Sequence, residues 1–234
     1  MPAHVPFHLA RDATGPVQQS PVTCGSASLT VARMLVDPDF AAWVVDGVKA
    51  DGGPPDSRTE SARFAEHERE VMNRTNALHA AGGRLNLPWP HALGTPPWGA
   101  EKELEHSVPR APEASGARGA SGAQGALAAQ GAQGTRDRAY RMRVVRPASS
   151  AGLRDAYRDL ASVVREELPA LLYVGNTRSP RHVTLVLPGE SGALLDVYDP
   201  ATGSGTDLDP ESFAGRTLGI AGWNVPWITV QPRG

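Results

Sequence analysis

The separation of helical patterns from strand patterns is the sequence feature that most constrains this fold. Residues 1–23 are predicted to be extended or irregular. Helical patterns dominate from about residue 24 to 79, whereas short alternating segments dominate from residue 140 onward. We predict helices from about Cys24 to Val36, from Phe40 to Val48 and from Ser57 to His79. This segregation predicts an α+β fold, in which an N-terminal helical lobe packs on a C-terminal antiparallel sheet.

The second half of the chain supplies the predicted sheet. Turns rich in Gly, Asn, Ser and Pro join closely spaced segments of β-branched and apolar residues. An amphipathic helix at 153–168 comes between the first strand and the others. The predicted strands cover 140–145, 170–174, 182–187 and 193–198, with a last pair near 218–221 and 227–230.

Two segments between these halves carry little regular pattern. Residues 87–98, rich in Pro and Trp, are predicted to form an irregular loop. The segment at about 110–135 is low-complexity Gly, Ala, Ser and Gln, which offers few bulky side chains to offset the entropy of ordering. We therefore expect a single domain over 1–234, interrupted by a flexible insert at about 110–135.

Charge and composition exclude several classes of protein. A formal charge of -2 disfavours nucleic-acid binding, and no apolar run approaches the roughly 18 to 20 residues of a membrane span. The N-terminus lacks the pattern of a secretory signal, which favours a cytoplasmic setting and leaves export without a cleaved signal open. No metal-ligand or phosphate-loop motif is present, so we expect no cofactor.

Cys24, the only cysteine, lies at the predicted start of the first helix. A lone thiol forms no internal disulfide, and one ligand cannot build a cysteine zinc site. Cys24 is therefore either a small core residue, as most lone cysteines are, or a nucleophile. Its position favours the nucleophile, because the positive end of a helix dipole stabilises a thiolate.

Three further positions complete a possible catalytic set. His182 opens a predicted strand and Asp199 ends the next one, so antiparallel pairing predicts that they are neighbours. An adjacent imidazole activates a thiol, and a carboxylate orients the imidazole. The amide of Gln18 or Gln19 is a candidate donor to an oxyanion, beside the Cys24 N–H.

Other histidines and the tryptophans have simpler interpretations. His67, His79, His91 and His106 lie in polar or loop segments, where we expect them to be solvated. For Trp89 and Trp98 two roles stay open: they line a substrate cleft, or they pin a Pro-rich loop to the core.

The order of these motifs resembles a papain-fold cysteine peptidase, and most closely the C39-like peptidase group. The residues that carry the resemblance are Gln18 or Gln19, Thr23-Cys24-Gly25, His182 at the start of an apolar strand, and Asp199-Pro200. The resemblance covers roughly residues 14–36 and 150–204, and the segment between about 50 and 145 is unmatched. The second cysteine that follows the nucleophile in cathepsins is absent.

This resemblance implies a Cys-His-Asp triad. Cys24 is then the nucleophile, His182 the general base and acid, and Asp199 the orienting residue, with Gln18 or Gln19 in the oxyanion hole. The implied activity is a thiol protease, a hydrolase that cleaves a peptide or isopeptide bond of a peptide or protein substrate through an acyl-enzyme.

Alternatives to peptide hydrolysis stay open. A transamidase, a deamidase or a secreted effector would use the same residues, although the long interval between Cys24 and His182 disfavours the standard transglutaminase core. A non-catalytic papain-fold binding module would carry an inert thiol and a misplaced His182. The sequence leaves the oligomeric state open.

Overall fold

The structure is a computed structural model, and it describes residues 7–9, 13–79, 83–87, 89–91, 94–107, 140–164, 168–189 and 194–234. In these ranges, helices pack on a six-stranded antiparallel sheet. The α+β fold that the papain-like resemblance implies, with a helical lobe against a sheet, is confirmed. The predicted flexible insert at about 110–135 lies outside the described residues, and the single-domain organisation stays a prediction.

The N-terminal helices begin and end at residues that suit their termini. These helices are α1 (Cys24–Val36), α2 (Pro38–Asp46), α3 (Glu60–Asn76) and α4 (Pro97–Ser107). Asp37 separates α1 from α2, and its carboxylate accepts the Phe40 N–H at 3.1 Å. Pro38 occupies the first position of α2, where a missing N–H has little cost. Thr59 caps α3 in the same way, by accepting the Ala62 N–H.

The sheet has the strand order β1-β6-β2-β3-β4-β5, and neighbouring strands are antiparallel. Its strands are β1 (Tyr140–Val144), β2 (Ala170–Gly175), β3 (Pro180–Val186), β4 (Leu195–Asp199), β5 (Ser204–Leu208) and β6 (Val225–Pro232). The strand that is last in the chain, β6, therefore lies inside the sheet, between β1 and β2.

Helices cover both faces of this sheet, and its central strands are therefore buried on both sides. Along β2, Leu171 and Tyr173 pack into the cluster that contains α1, whereas Leu172 and Val174 pack into the cluster that contains α5 (Ser150–Val164). A short helix, α6 (Pro210–Gly215), packs beside α5. Helix α1, which begins at Cys24, thereby packs against β3.

Several elements differ from the sequence predictions. Helix α4 begins at Pro97, inside the segment predicted to be an irregular loop, because proline fits the first turn of a helix. Strand β5 and helix α6 were not predicted, and β5 is mostly exposed and lacks apolar alternation. The predicted strand near 218–221 was wrong, since Ile220 forms only an isolated bridge with Trp223.

Candidate active site

Cys24 is the first residue of α1, and its side chain is 6% exposed. Thr23 occupies the N-cap position but makes no side-chain bond to the helix. Its hydroxyl donates instead to the carbonyl oxygen of Ser20 at 2.9 Å. The first N–H groups of α1 are therefore not capped by a side chain, and that of Cys24 remains a donor beside the thiol.

The residue after the cysteine has to be small. A Cβ atom on Gly25 would lie 2.6 Å from the Cβ of Thr95, closer than real side chains approach. The start of α1 is therefore in direct contact with the segment that leads into α4. This close approach explains why glycine follows Cys24.

His182 and Asp199 form a buried pair where β3 begins and β4 ends. His182 Nε2 lies 2.7 Å from Asp199 Oδ1. The register pairs Leu185 with Tyr198, and this antiparallel arrangement brings the start of β3 to the end of β4, as the sequence predicted. Because the carboxylate engages Nε2, Nδ1 is the ring nitrogen left for the Cys24 thiol, with which His182 forms a hydrogen bond.

The charges around His182 raise its pKa to about 9. Burial is the largest single influence and lowers this pKa, but hydrogen bonds to Asp199 and Cys24 and the negative charge of each together outweigh it. The imidazole is therefore protonated at neutral pH. An imidazolium that contacts a thiol is the partner needed to hold that thiol as a thiolate.

The turn after β4 keeps Asp199 ionised. Its Oδ1 also accepts the Ala201 N–H at 2.9 Å, and its Oδ2 accepts the Thr202 hydroxyl at 3.4 Å. Burial raises the pKa of Asp199, but the hydrogen bonds from His182 and Ala201 bring it below its usual value. Because both of its oxygens accept hydrogen bonds, the Asp199 carboxylate can fix the orientation of the imidazolium.

The side chains of the two candidate oxyanion donors point in different directions. Gln19 is exposed, and its Nε2 donates to the carbonyl oxygen of Val17 at 2.8 Å. Gln18 is half-buried, and its Oε1 is buried without a partner among the described residues. The Gln18 N–H donates to the Pro200 carbonyl at 2.8 Å, directly after Asp199. The structure thus brings Gln18 to the turn that carries Asp199 and directs the Gln19 amide elsewhere.

A cavity of about 250 Å³ opens beside Cys24 and His182. One wall is aromatic: Trp89 and Trp98 pack edge to face, with ring centroids 5.0 Å apart. Trp98 also donates from Nε1 to the carbonyl oxygen of Leu87 at 3.3 Å. The two roles left open for these tryptophans are therefore compatible, since the rings line the cavity and also pin the adjoining segment.

The opposite wall of this cavity comes from the sheet. Tyr173 on β2 donates its hydroxyl to the carbonyl oxygen of Thr95 at 3.1 Å. Burial, followed by the charge of nearby Cys24, raises the pKa of Tyr173 well above 10, so the phenol stays neutral. Val183 and Ile228 complete an apolar lining, while the exposed Arg181 supplies a charge at the edge.

The expectation that His67 is solvated was wrong. It is 4% exposed on α3, with Nδ1 lying 3.2 Å from Thr30 Oγ1 and Nε2 lying 3.3 Å from Arg33 Nη1. Burial, then the charges of Arg33 and Arg74, lower the pKa of His67 to about 3. Its spacing from Phe64 and from Val71 places it on the buried stripe of the helix, a signal that the polar composition of α3 obscured.

Sequence reasoning also missed Glu68, the next residue of α3. It is fully buried, and its carboxylate accepts the Gln19 N–H. No motif marks this glutamate, because its partner lies 49 residues earlier in the chain. Only the packing of α3 against α1 reveals the contact.

The described residues show neither a metal-type cluster nor a membrane-spanning helix. Among them, no three His, Cys, Asp or Glu side chains cluster as they would around a metal ion. No helix in the same ranges is long and apolar enough to cross a membrane.

Comparisons with known proteins give only distant likenesses. No protein family and no curated protein matches the sequence. Among solved structures, the chain is similar to the peptidase domain of Streptococcus ComA, a bi-functional ABC transporter involved in quorum sensing. The identity is 15% and the TM-score 0.36, over 94% of this chain and 98% of that one. It is also similar to the Pseudomonas avirulence protein AvrPphB, at 12% identity and a TM-score of 0.42, over 92% of this chain and 95% of that one.

Proposed function

We propose that this protein is a thiol hydrolase that cleaves a peptide or isopeptide bond through a Cys24-His182-Asp199 triad. The observation that supports this most strongly is the position of His182, which is buried between a thiol and a carboxylate. Its pKa of about 9 supplies an imidazolium at neutral pH. A non-catalytic binding module has no need for such a costly buried ion pair.

In the first half of the reaction, the Cys24 thiolate attacks the carbonyl carbon of the substrate. The π electrons of the carbonyl move to its oxygen, and the resulting oxyanion accepts hydrogen bonds from the Cys24 N–H and the Gln18 side-chain amide. His182 donates its Nδ1 proton to the leaving amine as the C–N bond breaks. A thioester on Cys24 and a neutral imidazole remain.

In the second half, His182 acts as a base. It accepts a proton from water, and the hydroxide oxygen attacks the thioester carbon. The C–S bond then breaks, which releases a carboxylic acid and restores the Cys24 thiolate beside the imidazolium. Asp199 holds the ring through Nε2 in both halves and does not itself take up the proton.

The apolar cavity supports a peptide or protein substrate that has a bulky apolar side chain next to the bond that is cleaved. Trp89 and Trp98 present flat apolar surfaces to such a side chain, and the volume of about 250 Å³ suits an aromatic or branched aliphatic group. Trp98 contributes apolar area, because its Nε1 already bonds the Leu87 carbonyl, whereas the buried Trp89 Nε1 has no partner among the described residues.

Acylation of Cys24 by p-nitrophenyl acetate tests the first half. We expect a burst of p-nitrophenolate equal in amount to the enzyme, and a thioester on Cys24 that mass spectrometry detects in acid-quenched samples. Cys24→Ala is the control and should give neither signal. Absence of a burst in the wild type, with the thiol titrating freely, would overturn the proposal.

Product analysis separates hydrolysis from transamidation and deamidation. A peptide library cleaved in oxygen-18 water should yield new carboxyl termini that carry the label, and these products should be absent with Cys24→Ala. If peptides stay intact while glutamines become glutamates, or while an added amine is incorporated, the acyl-enzyme stands but the hydrolase assignment fails.

A further inference from the structure

Glu68 is a fully buried carboxylate close to the candidate oxyanion donors. Its Oε1 and Oε2 lie 3.1 Å and 3.2 Å from the Gln19 backbone nitrogen, so both oxygens share one N–H donor. The hydroxyl of Thr23 also reaches this carboxylate, so its single proton is shared between Glu68 and the Ser20 carbonyl. Through these two contacts, one side chain from α3 joins the residue after Gln18 to the residue before Cys24.

Burying Glu68 in this way is costly. Among the described residues, its hydrogen bonds come from the Gln19 N–H and the Thr23 hydroxyl, and the positive charge of Arg69 also favours its ionised form. Burial is the largest influence on the pKa of Glu68 and raises it, while these hydrogen bonds and the charge of Arg69 oppose the rise. An apolar residue would fill this space at lower cost, so a buried carboxylate that accepts the Gln19 N–H indicates a role beyond packing.

The segment that Glu68 holds is also tied to the turn after β4. The Gln18 N–H donates to the Pro200 carbonyl at 2.8 Å, and the Gly15 N–H donates to the Gly203 carbonyl at 2.7 Å. Residues 15–20 therefore run between the turn that carries Asp199 and the start of α1. Glu68, from α3, makes a further contact to this segment through the Gln19 N–H.

We propose that Glu68 is a positioning residue of the oxyanion site, which sets the distance between the Gln18 amide and the Cys24 N–H. This inference rests on the proposed acyl transfer at Cys24. The two donors must meet one oxygen atom together, and a misplacement of about 1 Å can lower a rate by about a hundredfold. Glu68 itself lies too deep to touch the substrate.

Glu68→Gln tests this role with little change in volume. The glutamine oxygen can keep the Gln19 N–H, but its NH₂ group replaces the oxygen that accepts the Thr23 hydroxyl. Thr23 must then turn its proton wholly to Ser20, and the contact reverses its direction. We expect residues 18–20 to shift. The burst rate with p-nitrophenyl acetate should fall roughly tenfold to hundredfold, because carbonyl attack creates an oxyanion.

The rate of Cys24 alkylation by iodoacetamide separates loss of folding from a shifted oxyanion donor. Loss of folding would change this rate, whereas a shift of the Gln18 amide would not. The Cys24 thiolate displaces iodide from a saturated carbon, so no oxyanion forms. Glu68→Gln should therefore alkylate at the wild-type rate at about pH 6. Glu103→Gln is the matched control, since Glu103 is 2% exposed but pairs with Arg74 away from the cavity, and it should change neither rate.

A double-mutant cycle with Gln18→Ala tests whether Glu68 acts through the Gln18 segment. If it does, Gln18→Ala combined with Glu68→Gln should acylate no more slowly than Gln18→Ala alone. Multiplying losses would overturn the inference. So would equal losses in acylation and alkylation, or no loss in either.

Two further outcomes keep the test decisive. If Glu68→Gln does not fold, Thr23→Val, which removes the hydroxyl from the same contact, should give the same split between acylation and alkylation. A wild type with neither a burst nor rapid alkylation would overturn the proposed function and this inference together. A wild type with both, and a Glu68→Gln that matches it, would overturn only the role of Glu68.

Discussion

The molecule buries two histidines, and their surroundings give them opposite charge states. His182 is 7% exposed and His67 is 4% exposed, so burial alone lowers the pKa of each. At His182, Asp199 and Cys24 reverse this effect and raise the pKa to about 9. At His67, Arg33 and Arg74 add to it, and the pKa falls to about 3. The sign of the neighbouring charge, rather than depth, decides which imidazole is charged.

The cavities beside the two histidines differ in the same way. The one at His182 is lined mainly by aromatic and aliphatic side chains. The one at His67, of about 360 Å³, is lined by charged and polar groups that largely satisfy one another: Arg33, Asp37, His67, Glu70, Arg74, His106 and Ser107. A protonated imidazole beside an apolar cavity can act as a general acid, whereas a neutral imidazole among ion pairs contributes to the packing of α1 on α3.

Replacing each histidine in turn tests most directly whether His182 activates the Cys24 thiol and His67 does not. His182→Ala should slow iodoacetamide alkylation of Cys24 at about pH 6 by on the order of a hundredfold. The reason is that an ordinary thiol is only about 0.3% ionised at that pH. His67→Gln should alkylate at the wild-type rate. Equal rates in wild type and His182→Ala would mean that no imidazole activates the thiol.

The pH dependence of stability should report on His67. Its folded pKa of about 3 lies below the value of about 6.5 expected in the unfolded chain, so the unfolded state takes up the proton first as the pH falls. This contribution is fully present above about pH 6.5 and is progressively lost toward pH 3. Between pH 7 and pH 5 it removes about 2 kcal/mol from the free energy of unfolding.

Urea unfolding at pH 7 and at pH 5 checks this value against His67→Gln. Glutamine cannot be protonated but can still bond Thr30 and Arg33, so the variant should lose about 2 kcal/mol less than the wild type over the same interval. A parallel loss in both proteins would show that other groups cause the acid sensitivity.

Asp199→Asn should lower the pKa of His182, in the direction of the low pKa of His67. Without the carboxylate, the His182 pKa falls from about 9, and the imidazolium is lost at a lower pH. The burst rate with p-nitrophenyl acetate at pH 7 should fall about tenfold, and the high-pH limb of its profile should shift to lower pH. Asp37→Asn is the control beside His67, because asparagine still caps α2. A limb that stays in place would contradict the role of Asp199.

Sequence patterns were sufficient where the contacts are local or follow from strand pairing. The 3.6-residue spacing predicted α1, and the antiparallel hairpin predicted that His182 and Asp199 are neighbours, which their 2.7 Å hydrogen bond confirms. These inferences needed only the order of elements along the chain, because adjacent strands pair in a small number of ways. Gln18 and Gln19 could not be separated, since both precede the helix and only their packing differs.

Contacts that depend on how α3 and α4 pack could not be predicted. His67 and Glu68 belong to a helix whose polar composition suggested an exposed position, yet they bond Thr30 of α1 and the Gln19 backbone. Trp98 lies in a helix that begins at a proline, within a segment that resembled a loop. The burial of His67 and Glu68 is set by partners distant in the chain, which local periodicity does not encode.

The smallest expected effect is a change in substrate preference when a wall residue of the cavity beside Cys24 is replaced. Trp98→Ala should lower the preference for a bulky acyl group, measured as the burst rate with p-nitrophenyl 3-phenylpropanoate relative to the acetate, by about fivefold. This follows because an aromatic contact is worth about 0.5–1.5 kcal/mol. His106→Ala, in the wall of the cavity beside His67, should leave that ratio unchanged. If Trp98→Ala lowers both rates equally, Trp98 supports the position of Cys24 and does not select the substrate, and the apolar cavity would then lose its proposed role in specificity.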